Sequence, residues 1–281
     1  MKRLLVTGAS GFMGSRVADF YRGKYEVCAP GHGELDITDE VGVIARFRDW
    51  RPDYVVHCAA ISDIGQCDRE PERSRRINVE GAVNIAKAAG LVGAKCLLCS
   101  SDQVYAGSAV RGPHREAEAV RPGNLYGREK LAAEERCMEA NPDSVSLRLS
   151  WMYDARTLNP GEHSDFLRTL LAKLRTSETL RYPANDMRGI TDVNQVAEKL
   201  EAAFDLEGGV YNFGAPGTKS MFDMVHSLFE RLGWGTERLA RDGEAYAESP
   251  RDLTMSQEKL NGSGIFFTNT EERLLRILEE N

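Results

Sequence analysis

The chain has 281 residues and an ordinary apolar fraction of 42%, which is enough for one large domain or for a domain with a small added lobe. Its formal net charge is −7 without long runs of one sign, which argues against nucleic acid as the main partner because phosphate binding needs a basic surface. No stretch approaches the roughly 18 apolar residues of a membrane span, and residues 1–20 lack a signal-peptide pattern. We therefore expect a cytoplasmic protein that binds no membrane.

A short apolar strand at 3–7 leads into three glycines at intervals of three and then into an amphipathic helix at 12–22. Gly8 permits a sharp turn, Gly11 leaves room for a pyrophosphate, and Gly14 lets the helix pack on the strand. Free N–H groups at the helix N-terminus would hold the diphosphate. The alternative is a glycine-rich turn without a ligand, but the flanking strand and helix favour a dinucleotide site. The predicted cofactor contacts here are Gly8, Ser10, Gly11, Phe12, Met13 and Gly14.

Strands and helices alternate along the first half of the chain. Strands are predicted near 3–7, 25–29, 54–58, 95–100 and 145–149, and helices near 12–22, 39–49, 71–90 and 126–140. This order predicts an α/β fold with a doubly wound parallel (Rossmann) sheet. We assign residues 1–150 to a dinucleotide-binding domain and 151–281 mainly to a substrate-binding lobe, with returns to the main sheet near 192–215.

Ser101 ends an apolar run, and Tyr126 and Lys130 follow about 25 residues later, four apart on a predicted helix. Residues four apart share one helix face, so the ammonium can lie near the phenol. A nearby cation favours the phenolate and lowers the high pKa of an isolated tyrosine, which suits a general acid. The Ser101 hydroxyl could hold a carbonyl group that is being reduced. We predict these three residues to be catalytic.

Together, the glycine spacing, the YxxxK motif and the upstream serine resemble the extended short-chain dehydrogenase/reductase superfamily. In that superfamily, the residues matching Asp36 and Ile37 contact adenine, and the asparagine matching Asn78 holds a water of the proton relay. The segment 53–60 resembles the third strand and the turn beside the nicotinamide ribose. The cofactor contacts expected beyond the glycine loop are His32, Asp36, Ile37, Ala59, Ala60, Ser62, Cys99, Tyr126 and Lys130.

Within the superfamily, the chain most resembles the dTDP-4-dehydrorhamnose reductases, through the segments 33–39, 100–107, 148–153 and 249–255. The resemblance implies that NADPH delivers a hydride to C4 of a nucleotide-linked 4-keto-6-deoxy sugar. The implied substrate contacts are Ser101, Asp102, Trp151 and Arg251. The chain departs from the family pattern at Gln103, 61–68 and 185–191, which line the sugar side in relatives, so the sugar and the nucleotide stay open.

Three of these four substrate contacts have a structural alternative. Trp151 could stack on a nucleotide or sugar, or serve as a core or lid aromatic. Arg251 could bind a diphosphate bidentately, or form a surface ion pair. Asp102 could position the substrate, or cap a turn.

The identity of the nicotinamide cofactor depends on the residues after the second strand. An NAD enzyme usually places an acid there, whereas 29–33 contains none. His32 and Arg16 could meet a 2′-phosphate, which favours NADP(H) and leaves NAD(H) open. The alternatives are a polar loop for His32 and, more favoured, a solvated helix face for Arg16.

The six cysteines predict no metal site. Cys96 and Cys99 lie three apart on a predicted strand and therefore point to opposite faces. Cys28 and Cys58 also fall in apparently buried strands, whereas Cys67 is expected in a loop. His57 is interpreted as a core histidine with a satisfied hydrogen bond rather than as a base.

Two other functions stay open. An epimerase or dehydratase of the same superfamily would recycle its cofactor, although dehydratases tend to carry an acidic pair where Asp102 and Gln103 supply one acid. A catalytically silent regulatory subunit, resembling the β subunit of methionine adenosyltransferase, would bind the cofactor and a partner protein. The helix at 126–140 could also form a homodimer, and internal packing explains its apolar face equally well.

Overall fold

The computed structural model describes residues 1–159, 162, 164–176 and 179–280. The strands are β1 (Arg3–Thr7), β2 (Glu26–Cys28), β3 (Tyr54–His57), β4 (Lys95–Ser101), β5 (Val145–Leu149), β6 (Trp151–Tyr153), β7 (Leu180–Pro183), β8 (Asp186–Met187), β9 (Ile190–Asp192), β10 (Gly209–Phe213), β11 (Leu239–Asp242) and β12 (Arg251–Asp252). The α-helices are α1 (Phe12–Tyr21), α2 (Glu40–Trp50), α3 (Ile64–Arg69), α4 (Pro71–Arg75), α5 (Ala82–Val92), α6 (Leu125–Ala140), α7 (Phe166–Leu174), α8 (Val193–Ala203), α9 (Met221–Leu232), α10 (Glu258–Gly262) and α11 (Thr270–Glu280).

Six strands form the central sheet in the order β10-β5-β4-β3-β1-β2, and every neighbouring pair is parallel. The order reverses direction beside β1, so crossovers run to both sides of the sheet, as in a doubly wound fold. Strands that are buried on both faces consist of short runs of apolar residues, which is why their positions could be predicted from the sequence. The predicted fold class is confirmed.

Helices cover both faces of the sheet. On one face, α1 and α8 pack on a cluster that includes Leu4, Val6 and Val196. On the other face, α2, α5 and α6 enclose a cluster that includes Leu5 and Val55. Successive strand residues point to opposite faces, which assigns Leu4 and Leu5 to different clusters. The two layers leave the carboxyl ends of the strands as the edge where loops can form a site.

A third apolar cluster lies in the second half of the chain, where α7, α9 and α11 pack around Tyr153 and Ile190. The short parallel pairs β7–β11, β8–β12 and β6–β9 accompany it. Within 192–215, α8 packs on α1 and β10 extends the main sheet beside β5. Leu260, Ile265 and Phe267 also join the core of the main sheet, a return that the sequence did not indicate.

The single helix predicted at 71–90 is wrong in detail. The chain forms α4, then wide π-type turns at 76–81, then α5. At the junction, the Ile37 side chain occupies the space where a Cβ on Gly81 would lie, 2.7 Å away. Cys67, expected in a loop, is fully buried in α3. Among the described residues, no helix is long and apolar enough to cross a bilayer.

Candidate active site

The carboxyl ends of β1, β3 and β4 meet at one edge of the sheet, and the predicted site residues follow them. The Thr7 hydroxyl lies 2.7 Å from His57 Nδ1, and it accepts a hydrogen bond from the Ala59 amide at 3.3 Å. His57 is buried, and burial, with a smaller contribution from the Lys130 charge, lowers its pKa to about 3. The interpretation of His57 as a hydrogen-bonded core histidine is confirmed.

The glycine loop has the geometry of a diphosphate cradle. Gly8 adopts a φ of +68°, and a Cβ there would lie 2.6 Å from the Ala59 nitrogen. A Cβ on Gly14 would overlap the carbonyl oxygen of Gly8. In the described part of the chain, no side chain caps the N-terminus of α1 at Gly11, so its first-turn amides are open to a ligand. Backbone donors at the positive end of a helix fit the diphosphate of a dinucleotide.

The other residues of the loop differ in exposure. Ser10 is exposed and Phe12 is partly buried, whereas the Met13 side chain packs in the main core. Met13 therefore has only its backbone to offer a ligand.

The predicted adenine side lies beyond β2. His32 and Asp36 are exposed there, and Ile37 is buried. Asp36 accepts hydrogen bonds from the amide and the hydroxyl of Thr38, and both bonds lower the pKa of Asp36. Ala59 and Ala60 are partly buried at the end of β3, and Ser62 is exposed in the loop that follows. The contacts of these residues with a cofactor stay predictions.

The favoured interpretation of Arg16 as a residue on a solvated helix face is wrong. Its side chain is 1% exposed, donates from Nε to Asp154 Oδ2 at 3.0 Å, and donates from Nη2 to Glu162 Oε2 at 2.9 Å. Its Cζ also lies 4.2 Å from the centroid of the Phe12 ring. The guanidinium already holds two carboxylates, so Arg16 is not the free cation that a 2′-phosphate would need.

Ser101, Tyr126 and Lys130 come together at the end of β4 and the start of α6, and each is at most 9% exposed. Lys130 Nζ donates to the Cys99 carbonyl at 2.8 Å and lies 5.6 Å from the centroid of the Tyr126 ring. Burial raises the pKa of Tyr126 above its ordinary range, and the hydrogen bond with Ser101 opposes this rise. Burial also lowers the pKa of Lys130. The expected net lowering of the Tyr126 pKa is therefore wrong, because burial has the largest effect and the nearby negative charge of Asp102 acts in the same direction.

Two contacts bring the start of α6 against the turn after Ser101. The Asn124 side chain caps the helix by accepting from the Gly127 amide at 2.7 Å, and its amide group donates to Gln103 Oε1 at 3.1 Å. A Cβ on Gly127 would overlap the Gln103 carbonyl oxygen. The glycine inside the YxxxK motif thus permits the close approach that places Tyr126 beside Ser101.

Glu129 is a buried residue of the site region that the sequence did not single out. Its carboxylate accepts from Ser74 Oγ at 2.6 Å and from Asn78 Nδ2 at 2.8 Å, and it is 3% exposed. Asn78 also exchanges hydrogen bonds with the backbone of Ile61, from N at 2.8 Å and to O at 3.0 Å. The only sequence indication of Glu129 was its position inside the YxxxK motif, three residues after Tyr126. The relay role of Asn78 stays a prediction.

We expect Glu129→Leu to reduce the free energy of unfolding by about 1–3 kcal/mol, because two buried donors lose their shared acceptor. Glu135→Leu, on an exposed position of the same helix, is the matched control and should change stability by no more than about 0.5 kcal/mol. Urea denaturation of both variants measures the difference. Equal effects would contradict a supporting role for Glu129.

Asp102 and Trp151 lie on the predicted sugar side. Asp102 is 2% exposed, accepts from Ser101 Oγ at 3.2 Å, and accepts from Arg188 Nη2 at 2.7 Å. Trp151 is 41% exposed, and the Arg188 guanidinium lies 5.3 Å from its ring centroid. Arg188, which sequence reasoning missed, falls in the 185–191 segment where the chain departs from the family pattern.

Arg251 forms an ion pair within the lobe. It donates from Nε and Nη2 to the two carboxylate oxygens of Asp186 at 2.8 and 2.6 Å, and its Cζ lies 4.3 Å from the Tyr246 ring centroid. The ion pair that the sequence left as an alternative is present, and it is partly buried rather than fully exposed. Diphosphate binding by Arg251 stays a prediction.

The cysteines do not converge on one ion. Cys96 packs in the cluster on one face of the sheet, and Cys99 packs on the other, so the prediction that they face apart is confirmed. Cys99 Sγ lies 3.6 Å from Cys58 Sγ, and both thiols are free. Of the four cysteines predicted in buried strands, Cys96 is buried, whereas Cys28, Cys58 and Cys99 are only partly buried.

Comparisons with known proteins agree with the fold. A family model described as the RmlD substrate binding domain matches residues 1–281. A dTDP-4-dehydrorhamnose reductase of Streptomyces griseus is 39% identical, over 94% of this chain and 88% of the relative. The methionine adenosyltransferase 2 subunit beta of Xenopus laevis is 34% identical, over 54% of this chain and 47% of the relative.

A solved structure of a dTDP-4-dehydrorhamnose reductase from Bacillus anthracis, in complex with NADP, superposes with a TM-score of 0.85. It is 27% identical, and the match covers 100% of this chain and 99% of that chain.

Proposed function

The chain belongs to the RmlD substrate-binding-domain family, and we propose that it is an NADP-dependent oxidoreductase that reduces the keto group of a nucleotide-linked sugar. The observation that carries the proposal is the buried group of Ser101, Tyr126 and Lys130 beside the open glycine loop. The reductase relative from Streptomyces griseus and the NADP-bound structure from Bacillus anthracis support the class of reaction and the cofactor. The proposed substrate is a dTDP-linked 4-keto-6-deoxy sugar, reduced at C4.

The glycine loop would hold the diphosphate of the cofactor. The N-terminus of α1 has no side-chain cap, and the glycines leave the backbone accessible to that group. The 29–33 segment after β2 contains no acid, which favours NADP(H) over NAD(H) while allowing both. The bound cofactor supplies the hydride. The chain's own residues have to bind the carbonyl oxygen and deliver a proton to it.

In the proposed mechanism, the Ser101 hydroxyl turns its one proton from Asp102 Oδ1 to the carbonyl oxygen of the bound substrate. Tyr126 donates the proton that completes the alcohol. Burial raises the pKa of Tyr126 and so keeps the phenol protonated at neutral pH, which a proton donor requires. Lys130 Nζ, near the phenol ring, stabilises the phenolate that is left after transfer and would also bind the nicotinamide ribose. Asn78 would hold a water that returns a proton to Tyr126.

The test is the loss of reduced cofactor when the protein meets a panel of nucleotide-linked 4-keto sugars. We expect NADPH to be consumed in equal amount to the keto sugar, and more efficiently than NADH. Conversion of the sugar without net NADPH loss would instead identify an epimerase or dehydratase.

The match to the methionine adenosyltransferase subunit is the specific observation that favours the regulatory alternative. Cofactor binding without turnover of any sugar, together with capture of a partner enzyme, would favour that function over the reductase.

A further inference from the structure

We propose that Arg188 is a positioning residue of the reduction: through its ion pair with Asp102, it holds the turn that presents the Ser101 hydroxyl. This inference rests on the proposed reductase function. Arg188 lies between β8 and β9, whereas Ser101 ends β4, so the contact ties the second half of the chain to the catalytic edge of the sheet.

Asp102 bridges Ser101 and Arg188 through its two carboxylate oxygens, and Gln103 Nε2 also donates to Oδ1 at 3.4 Å. Ser101 Oγ donates to Asp102 Oδ1 at 3.2 Å, and Arg188 Nη2 donates to Oδ2 at 2.7 Å. The Ser101 hydroxyl also accepts from the Gln103 amide at 3.2 Å. Because Asp102 is 2% exposed and Arg188 is 8% exposed, water contributes little to fixing the carboxylate. A shift of the guanidinium would therefore move the carboxylate and, with it, the direction of the serine hydroxyl.

Fold stability alone does not account for this ion pair. Arg188 Nε is buried and, within the described residues, has no hydrogen-bond partner. A buried unpartnered donor costs stability, and apolar side chains can replace a buried ion pair at little or no loss. The guanidinium plane also lies 5.3 Å from the ring of Trp151, a predicted substrate contact. The placement is therefore better suited to arranging the site than to holding the fold.

Several polar and charged groups surround the proposed proton donor, Tyr126. Tyr126 is faced by the Ser101 hydroxyl, by the thiols of Cys99 and Cys67, and by Asp102, whose negative charge raises the Tyr126 pKa. On its own helix, Lys130 is the nearest cation.

Asp102 is faced in turn by two arginines. Arg188 pairs with it directly, whereas Arg251 acts on it only from a distance, because Arg251 is paired with Asp186. Without the Arg188 guanidinium, the buried Asp102 carboxylate would lose its direct ion pair beside the proton donor.

We expect Arg188→Met to lower kcat by between about 10- and 100-fold at neutral pH, because Ser101 loses its alignment. KM for the sugar should change by well under about 10-fold, the smallest difference that a single missing methylene contact produces. Arg188→Lys should restore part of kcat, because an ammonium at this position can still pair with Asp102.

The matched control is Arg273→Met, which breaks a comparable ion pair with Asp192 in the lobe. Melting temperature and NADPH binding are measured for every variant, so a loss of folding is recognised directly. If Arg188→Met and Arg273→Met gave the same loss of kcat and Arg188→Lys restored none of it, Arg188 would be merely structural. A rise in KM with unchanged kcat would make it a sugar ligand instead, and either result would overturn the proposal. Failure of the reductase function itself would appear separately, as wild-type protein that turns over no keto sugar.

Discussion

Tyr126→Phe is expected to lower kcat for keto-sugar reduction by about 10²–10⁴, the range for loss of a general acid. The ring keeps its packing in the variant, so only the proton that completes the alcohol is lost. NADPH affinity should change little, because the proposed diphosphate contacts come from the glycine loop and not from the phenol. Steady-state kinetics, together with a fluorescence titration of NADPH, measures both quantities.

Tyr153→Phe provides the control for Tyr126→Phe. The Tyr153 side chain is fully buried in the lobe, and its hydroxyl has no hydrogen-bond partner among the described residues. Its removal should leave kcat unchanged and should not lower stability. Near-normal turnover in Tyr126→Phe would refute the assignment of this phenol as the proton donor, whatever the behaviour of the control.

The architecture could be predicted because its determinants are local in the sequence. Each strand of a doubly wound sheet is an apolar run, and each crossover helix carries its own amphipathic pattern. The glycine loop can be recognised from the spacing of its glycines together with the strand before it and the helix after it. The exception is the segment from 71 to 92. There, the Ile37 side chain lies where a Cβ on Gly81 would be, and nothing within the segment indicates this contact with a residue distant in sequence.

The site was predictable only where its partners are close in sequence. Tyr126 and Lys130 lie one helical turn apart, so their common face follows from helix geometry. Arg188 and Asp102 are 86 positions apart, and Glu129 and Asn78 are 51 apart, so only the folded chain brings them together. The Tyr126 pKa was expected to fall for a related reason: the YxxxK motif shows a nearby cation, but it shows neither the burial of the phenol nor the nearby Asp102, and both raise this pKa.

Arg16 is the residue for which long-range structure changes the interpretation most, and Arg16→Leu should reduce the free energy of unfolding by about 3–5 kcal/mol. The substitution would remove the buried guanidinium from the Asp154 and Glu162 carboxylates and leave them with the longer contacts to Arg156 at 3.6 Å and Arg168 at 3.5 Å. Arg22→Leu is the control, because Arg22 is 79% exposed and contacts Asp19 only at 3.7 Å. That variant should differ from the wild type by no more than about 0.5 kcal/mol in chemical denaturation.

The stabilising effect of Arg16 should also depend on pH in a defined direction. The hydrogen bond from Arg16 lowers the pKa of Glu162 below its usual value of 4.5. A carboxyl group with a lowered pKa in the folded state stabilises the protein fully above its unfolded-state pKa, and this contribution is lost as the pH falls through the folded-state value. The stability difference between wild type and Arg16→Leu should therefore be constant near neutrality and shrink below about pH 4.5. A difference that grew on acidification would contradict the ion pair as the source of the stabilisation.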